Sequence, residues 1–268
     1  MSIITDKLTF SYRTGRKINE VLRDISFLAE AGELTALLGA NGAGKSTILK
    51  CILGLLKGYG GSIKVGLAGA EEFREASQLS AGQLARRIAY IPQLHYQSFA
   101  YTVLDMVLMG TTNQLSGPAS PGEPQRAAAA EALDKFGILH LADNDFTTLS
   151  GGEQQLVLMA RAYAQKAPIW LLDEPVAGLD YGNQIKTQEK LREMAHRGYT
   201  ILMTTHNPEQ TFMFADKVVA IKDGSVIACG KPEEIMDNRL ISALYGIETT
   251  VHSIENDRVR VFLPKSGK

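Results

Sequence analysis

The chain has 268 residues, 45% hydrophobic and 21% charged, with 28 lysines and arginines against 29 acids and a formal net charge of −1. That composition excludes a disordered chain and gives no global electrostatic reason to bind nucleic acid or an anionic membrane. Two cysteines, Cys51 and Cys229, cannot form a disulfide framework or a four-ligand zinc site, and no window approaches the ~20 apolar residues of a membrane span. With MSIITDKLTFSY at the start in place of a basic-then-apolar leader, the expectation is a soluble intracellular protein.

Taken in chain order, Leu34 to Leu38 is a short apolar run ending at a glycine-rich turn, and Ile48, Leu49, Ile52, Leu53 and Leu56 then recur at helical spacing. From about Ala100 to Ala164 the pattern is mainly helical, interrupted by GPASPGEP (Gly117 to Pro124), which reads as a surface loop rather than a regular element. Ile169 to Leu172 and Thr200 to Thr205 read as buried strands. Val218 to Ile221 and Ser225 to Cys229 flank Asp223-Gly224, a hairpin signal, and a second hairpin is expected to turn at Asn256-Asp257. Apolar runs alternating with helical patterns predict a mostly parallel sheet covered by helices, with a helical subdomain inserted into it. No repeat of 20–50 residues is present.

Gly39-Ala-Asn-Gly-Ala-Gly-Lys45-Ser46 fits G-x-x-x-x-G-K-[ST] directly after a strand and directly before a helix, the context that this motif requires. Its glycines let backbone N–H groups turn inward around a polyphosphate, and the helix N-terminus adds partial positive charge. Lys45 is placed to reach the β and γ phosphates and the Ser46 hydroxyl to ligate Mg²⁺. Asp173-Glu174 closes the strand IWLL, where carboxylates can face the phosphates of an open α/β sheet. Asp173 would hold Mg²⁺ through water, and Glu174 would polarise the attacking water. Without the phosphate loop, the same pair would read as a strand-terminal acidic pair before a turn at Pro175.

LSGGEQQ (Leu149 to Gln155), with Ser150 lying 23 positions before Asp173, resembles the signature motif of ATP-binding cassette (ABC) ATPases. The resemblance runs over nearly the whole chain: Tyr12, the phosphate loop, Gln93 in YIPQ, the signature, IWLLDEP, Gly178-Leu179-Asp180, and His206 after TILMTT. It implies an α/β P-loop NTPase (RecA-like) core with an N-terminal antiparallel β subdomain and an inserted helical subdomain. The core would span about residues 1–98 and 166–235, the helical subdomain 99–165, and a short C-terminal extension 236–268. The implied nucleotide-binding residues are Tyr12, Gly39, Asn41, Gly42, Ala43, Gly44, Lys45, Ser46 and Thr47, joined by Ser150, Gly151 and Gly152 of the opposite subunit. Ser46, Gln93 and Asp173 would hold Mg²⁺, and Glu174, His206 and Gln93 would serve hydrolysis. Two chains would sandwich two ATP molecules head to tail, with Asp180 aligning them. Tyr12 would stack on adenine, or else simply pack as a strand-end aromatic. Leu79 to Gln83 reads LSAGQ, close to a signature, but it lies upstream of the helical region and is expected to be a cap before a short helix.

The finer resemblance is to cassettes of importers for metal chelates and related oxyanions (iron–siderophore, haem, cobalamin or molybdate), carried by QLARRIAYIPQ (Gln83 to Gln93) and FAYTVLDMVLMG (Phe99 to Gly110). It implies a peripheral subunit on the cytoplasmic face, paired with transmembrane permease subunits, served indirectly by an extracytoplasmic binding protein, and binding no nucleic acid. The stripe Val103, Leu104, Met106, Val107 and Met109 could be permease-docking surface or ordinary subdomain core. Two alternatives of other classes stand beside this reading: a soluble, non-transport cassette acting in nucleic-acid repair or translation, and a P-loop kinase or GTPase, which the signature and Glu174 disfavour.

Overall fold

The computed structural model describes residues 1–15, 17–66, 73–93, 101–115, 120–257 and 259–265. In chain order the elements are β1 (Ile3–Thr14), β2 (Lys17–Ala29), β3 (Leu34–Leu38), α1 (Lys45–Ile52), β4 (Gly60–Gly66), β5 (Phe73–Glu75), α2 (Ala81–Ala85) and β6 (Ile88–Ile91). Then follow α3 (Val103–Leu108), α4 (Glu123–Lys135), α5 (Gly151–Ala164), β7 (Ile169–Leu172), α6 (Tyr181–His196), β8 (Thr200–Thr205) and α7 (Pro208–Phe214). The chain ends with β9 (Lys217–Lys222), β10 (Ser225–Gly230), α8 (Pro232–Ile235), α9 (Asn238–Tyr245), β11 (Thr249–Ile254) and β12 (Val259–Pro264). These divide into two compact units, Met1–Leu79 with Leu191–Lys268, and Ser80–Lys190.

The first unit holds an antiparallel sheet in the order β2-β1-β4-β5. In β1 the buried residues are Ile3, Thr5, Leu8 and Phe10, a period of two interrupted once. The interruption is a bulge between Thr5 and Leu8, where Lys7 takes φ 48 and one extra residue resets which side chains face inward. The same unit carries the strand order β10-β9-β3-β8, in which β3 pairs parallel with both β8 and β9. Every residue of β3 and β8 is buried, as expected of parallel strands covered on both faces. Helix α1 buries Ile48, Leu49, Cys51 and Ile52, while Leu53 is its C-cap and Leu56 lies beyond it. The Asp223-Gly224 hairpin forms as expected, with Ser225 opposite Lys222 and both turn residues at positive φ. The C-terminal hairpin β11–β12 also forms, in register from Thr249↔Pro264 to Ile254↔Val259.

In the second unit β6 and β7 pair parallel, from Ile88↔Ile169 to Ile91↔Leu172, and β7 is buried throughout. Trp170, fully buried, donates from Nε1 to the Ala167 carbonyl at 3.1 Å, so its one polar atom is satisfied. LSAGQ is a helix cap: Ser80 and Gln83 form a reciprocal capping box at the start of α2. Helices α3, α4 and α5 share a core of Val103, Met106, Val107, Ala129, Leu133, Val157 and Leu158. Gly110 lets α5 come close, since a Cβ there would sit 2.2 Å from the Arg161 carbonyl oxygen. One boundary differs from the sequence expectation. Glu123 and Pro124, read as the end of the GPASPGEP loop, form the first turn of α4, where proline has no amide bond to lose. Residues 117–119 of that loop, and Phe99-Ala100 of the importer-like segment, lie outside the described residues. Among the described residues, no helix is long and apolar enough to cross a membrane.

Candidate functional site: a phosphate loop and a capped signature helix

The first unit supplies the phosphate loop. Between β3 and α1 the chain turns through Gly42 at φ 82 and Gly44 at φ 101, conformations that cost a non-glycine residue steric strain. Gly44 is the N-cap of α1, and no side chain caps that end. The first amides of any helix lack intrahelical partners, so this end is suited to an anion. Lys45 is 5% exposed, and its Nζ donates to the carbonyls of Gly39 at 2.8 Å and Ala40 at 3.0 Å. The ammonium is thus curled over the carbonyls of its own loop. Gly39 is required for a different reason: a Cβ would lie 2.3 Å from the Ile221 carbonyl oxygen. Thr47 is buried in the first turn of α1, next to Ser46.

His206 follows β8 directly, and β8 lies beside β3 in register from Leu34↔Ile201 to Leu38↔Thr205. The Gly39 amide donates to the Thr205 carbonyl at 3.3 Å, which ties the start of the phosphate loop to the residue before His206. The His206 side chain is exposed. Asn207 then caps α7, accepting from the Gln210 amide at 3.0 Å. Tyr12 lies within β1 opposite Asn19, 37% exposed, its ring edge-on to Phe10 with centroids 4.9 Å apart. It keeps a free aromatic surface.

The second unit supplies the acidic strand end and the signature. The Asp173 amide donates to the Ile91 carbonyl at 3.0 Å, fixing the ends of β7 and β6 together, and Gln93 follows two residues beyond β6. Asp173 is 9% exposed; its charge, together with burial as the larger cause, raises the pKa of Tyr90. Glu174 has φ 45, a left-handed conformation that a glutamate adopts only when its surroundings impose it. Asp180 caps α6, accepting from the Asn183 amide at 3.0 Å and from its Nδ2 at 2.6 Å, and these bonds hold its carboxyl below the usual range.

At the signature, Ser150 caps α5 through a capping box with Glu153. The Ser150 hydroxyl donates to Glu153 Oε2 at 2.7 Å and its amide donates to the same oxygen at 2.9 Å, which lowers the Glu153 pKa. Gly151 is exposed and Gly152 buried, and a Cβ on Gly152 would meet the Asn183 side chain at 2.6 Å. Asn183 therefore links the signature turn to Asp180. The sequence reading missed it, although D-x-x-N before a helical pattern is a recognisable cap.

Ser46 in the first unit and Asp173 in the second each carry a hard oxygen donor of the kind that suits Mg²⁺. Among the described residues, no group of three or more His, Cys, Asp and Glu side chains is placed to hold a metal ion. The apolar stripe of α3 is divided: Val103, Met106 and Val107 are buried core, Leu104 is half-buried, and Met109 is 39% exposed. Met109 joins Tyr101, Asp105, Leu108, Thr112 and Arg126 around a cavity of about 350 Å³.

Residues 22–177 match the family model described as ABC transporter. The chain is 36% identical over 255 residues to the hemin import ATP-binding protein HmuV of Rhizobium johnstonii, covering 92% of this chain and 93% of that one. Among solved structures, it is similar to a metal-chelate type ABC transporter in an inward-facing conformation, with 30% identity, TM-score 0.84, and 99% and 97% of the two chains covered. It is also similar to a dimeric ATP-binding cassette in a post-hydrolysis state bound to ADP and phosphate, with 27% identity, TM-score 0.71, and 86% and 98% covered. The family match spans the phosphate loop, the signature and the acidic strand end, on an α/β fold with an antiparallel β subdomain and a helical insertion. The chain belongs to the ABC transporter family, as an ATP-binding and ATP-hydrolysing cassette.

Proposed function

We propose that this cassette powers a membrane importer for a metal chelate or related cargo. It works as a homodimer on two transmembrane permease subunits at the cytoplasmic face, with an extracytoplasmic binding protein delivering cargo. The observation that carries the ATPase part is the start of α1, where Gly44 at φ 101 replaces a side-chain cap and Lys45 curls over the Gly39 and Ala40 carbonyls. The relatives named above support the cargo class and the dimer.

In this reading the amides of residues 42–47 and the Lys45 ammonium take the phosphates, and Tyr12 offers its ring to adenine. Ser46, Gln93 and Asp173 hold Mg²⁺, which when bound neutralises phosphate charge. Glu174 accepts a proton from water, and His206 senses the γ-phosphate. Ser150, Gly151 and Gly152 serve the nucleotide of the opposite subunit, and Asp180 aligns the pair. Residues 1–98 and 166–235 form the catalytic core in this scheme, with 99–165 as the helical subdomain that receives the permease.

Glu174→Gln tests it. The variant is expected to bind ATP, lose hydrolysis by about 10²–10⁴-fold, and dimerise with Mg-ATP by light scattering. Tagged and captured from detergent-solubilised membranes with ATP, it is expected to bring down a polytopic membrane protein in stoichiometric amount. Recovery of soluble or ribosomal partners alone would reject the importer and leave the ATPase site standing.

A further inference from the structure

We propose that Tyr245, in the C-terminal extension, is a positioning residue for His206, holding the switch histidine's backbone through its phenol. The proposal rests on His206 acting at the γ-phosphate. The Tyr245 hydroxyl donates to the His206 carbonyl at 2.8 Å, across 39 positions of sequence. His206 follows the last residue of β8, and its own side chain is exposed. A bond to its carbonyl therefore fixes where the imidazole leaves the backbone without touching the ring.

The anchor behind Tyr245 is built from several independent bonds. Helix α9 buries Leu240, Ile241 and Leu244, is capped by Asp237 accepting from Leu240 N at 2.8 Å, and ends at Gly246 with φ 70. Lys222 at the end of β9 donates to the Ala243 carbonyl at 2.6 Å, and Thr249 N to Ser242 Oγ at 3.3 Å. A second hold lies at the far end of the switch segment. The Arg260 guanidinium of β12 lies over the Phe212 ring of α7, 4.7 Å from its centroid, and is itself fixed by the Met236 and Glu233 carbonyls, each at 3.0 Å. The C-terminal extension thus grips the His206–Phe214 stretch at both ends. Burial pushes the Tyr245 phenol far above its ordinary pKa, so it remains a donor across the working pH range.

The experiment is Tyr245→Phe, which removes one hydroxyl and keeps the ring. In the nucleotide-free chain, amide hydrogen exchange over residues 206–211 is expected to quicken about five-fold, as loss of one net hydrogen bond implies, while α1 and β3 stay unchanged. In the same variant kcat for ATP is expected to fall by a similar factor with KM for ATP unaltered. Unchanged exchange, unchanged kcat, or a raised KM with intact kcat would each overturn the proposal. His206→Ala run alongside separates the layers. If it hydrolyses ATP at the parent rate, the reading of His206 fails and the proposal with it. If it is inactive while Tyr245→Phe matches the parent, only the role of Tyr245 is lost.

Discussion

At Gly39 and Gly42 the same substitution meets two different obstacles. An alanine at 42 finds open space but must hold φ 82, a backbone cost of about 1–2 kcal/mol. An alanine at 39 drives its Cβ to 2.3 Å from the Ile221 main-chain oxygen, in a strand whose interior is fully buried, so the strand or the loop must move. Gly42→Ala is expected to lower Tm by roughly 2–6 °C. Gly39→Ala should lower it further and abolish binding of a fluorescent ATP analogue. Thermal unfolding of the two variants side by side checks this, and a Gly39→Ala melting point at or above that of Gly42→Ala would contradict it. The phosphate loop was legible in sequence because its glycines, lysine and serine form one contiguous motif between a strand and a helix, although the close approach that demands Gly39 comes from β9, far along the chain. The φ of 45 at Glu174 was not, because nothing in the letters DEP distinguishes a strained glutamate from a relaxed one.

At the scale of elements, what the sequence revealed divides by range. Buried parallel strands, both late hairpins and the α2 cap were readable, since each depends on neighbours within a few positions. The antiparallel sheet β2-β1-β4-β5 came only from family resemblance, because the bulge at Lys7 breaks the alternation that would have announced β1. The α3 stripe was ambiguous because a buried helix and a docking helix write the same pattern, and the structure divides it, with Val103, Met106 and Val107 in the core and Met109 exposed. The Tyr245 to His206 bond has no local signal at all. The C-terminal hairpin offers its own test through charge. Asp257 accepts from Arg260 Nε at 2.8 Å and from Ser253 at 2.7 Å, and the Arg260 bonds, the larger cause, hold its carboxyl down at about 2. An unfolded aspartate titrates near ~3.9, so the stabilisation is present above that value and disappears as pH falls through about 2. Asp257→Asn should therefore melt below the parent at pH 6, with the gap closing as the pH approaches 2. A gap that is constant with pH would show that charge has no part in it.

In the proposed importer the molecule passes a nucleotide-driven change to a membrane partner, and the second unit carries an exposed surface on which that proposal can be tested. Its cavity of about 350 Å³ is lined by the apolar side chains of Tyr101, Leu108 and Met109 together with Asp105 and Arg126, of opposite charge. Tyr101 is 41% and Met109 39% exposed, unlike Val103, Met106 and Val107, so the proposed permease contact is expected here, where it leaves the α3 core intact. A permease segment inserting an apolar side chain here would bury area worth about 25 cal/mol per Å² and leave the phosphate loop untouched. Replacing both Tyr101 and Met109 by aspartate should spare folding, because surface changes of this kind cost little, and should spare ATP hydrolysis by the isolated chain. Placed in the Glu174→Gln background, the same pair should abolish co-purification of the membrane protein. Capture at parental yield would move the docking surface elsewhere on the cassette. Loss of ATP hydrolysis by the isolated double variant would mean instead that the cavity supports the catalytic fold.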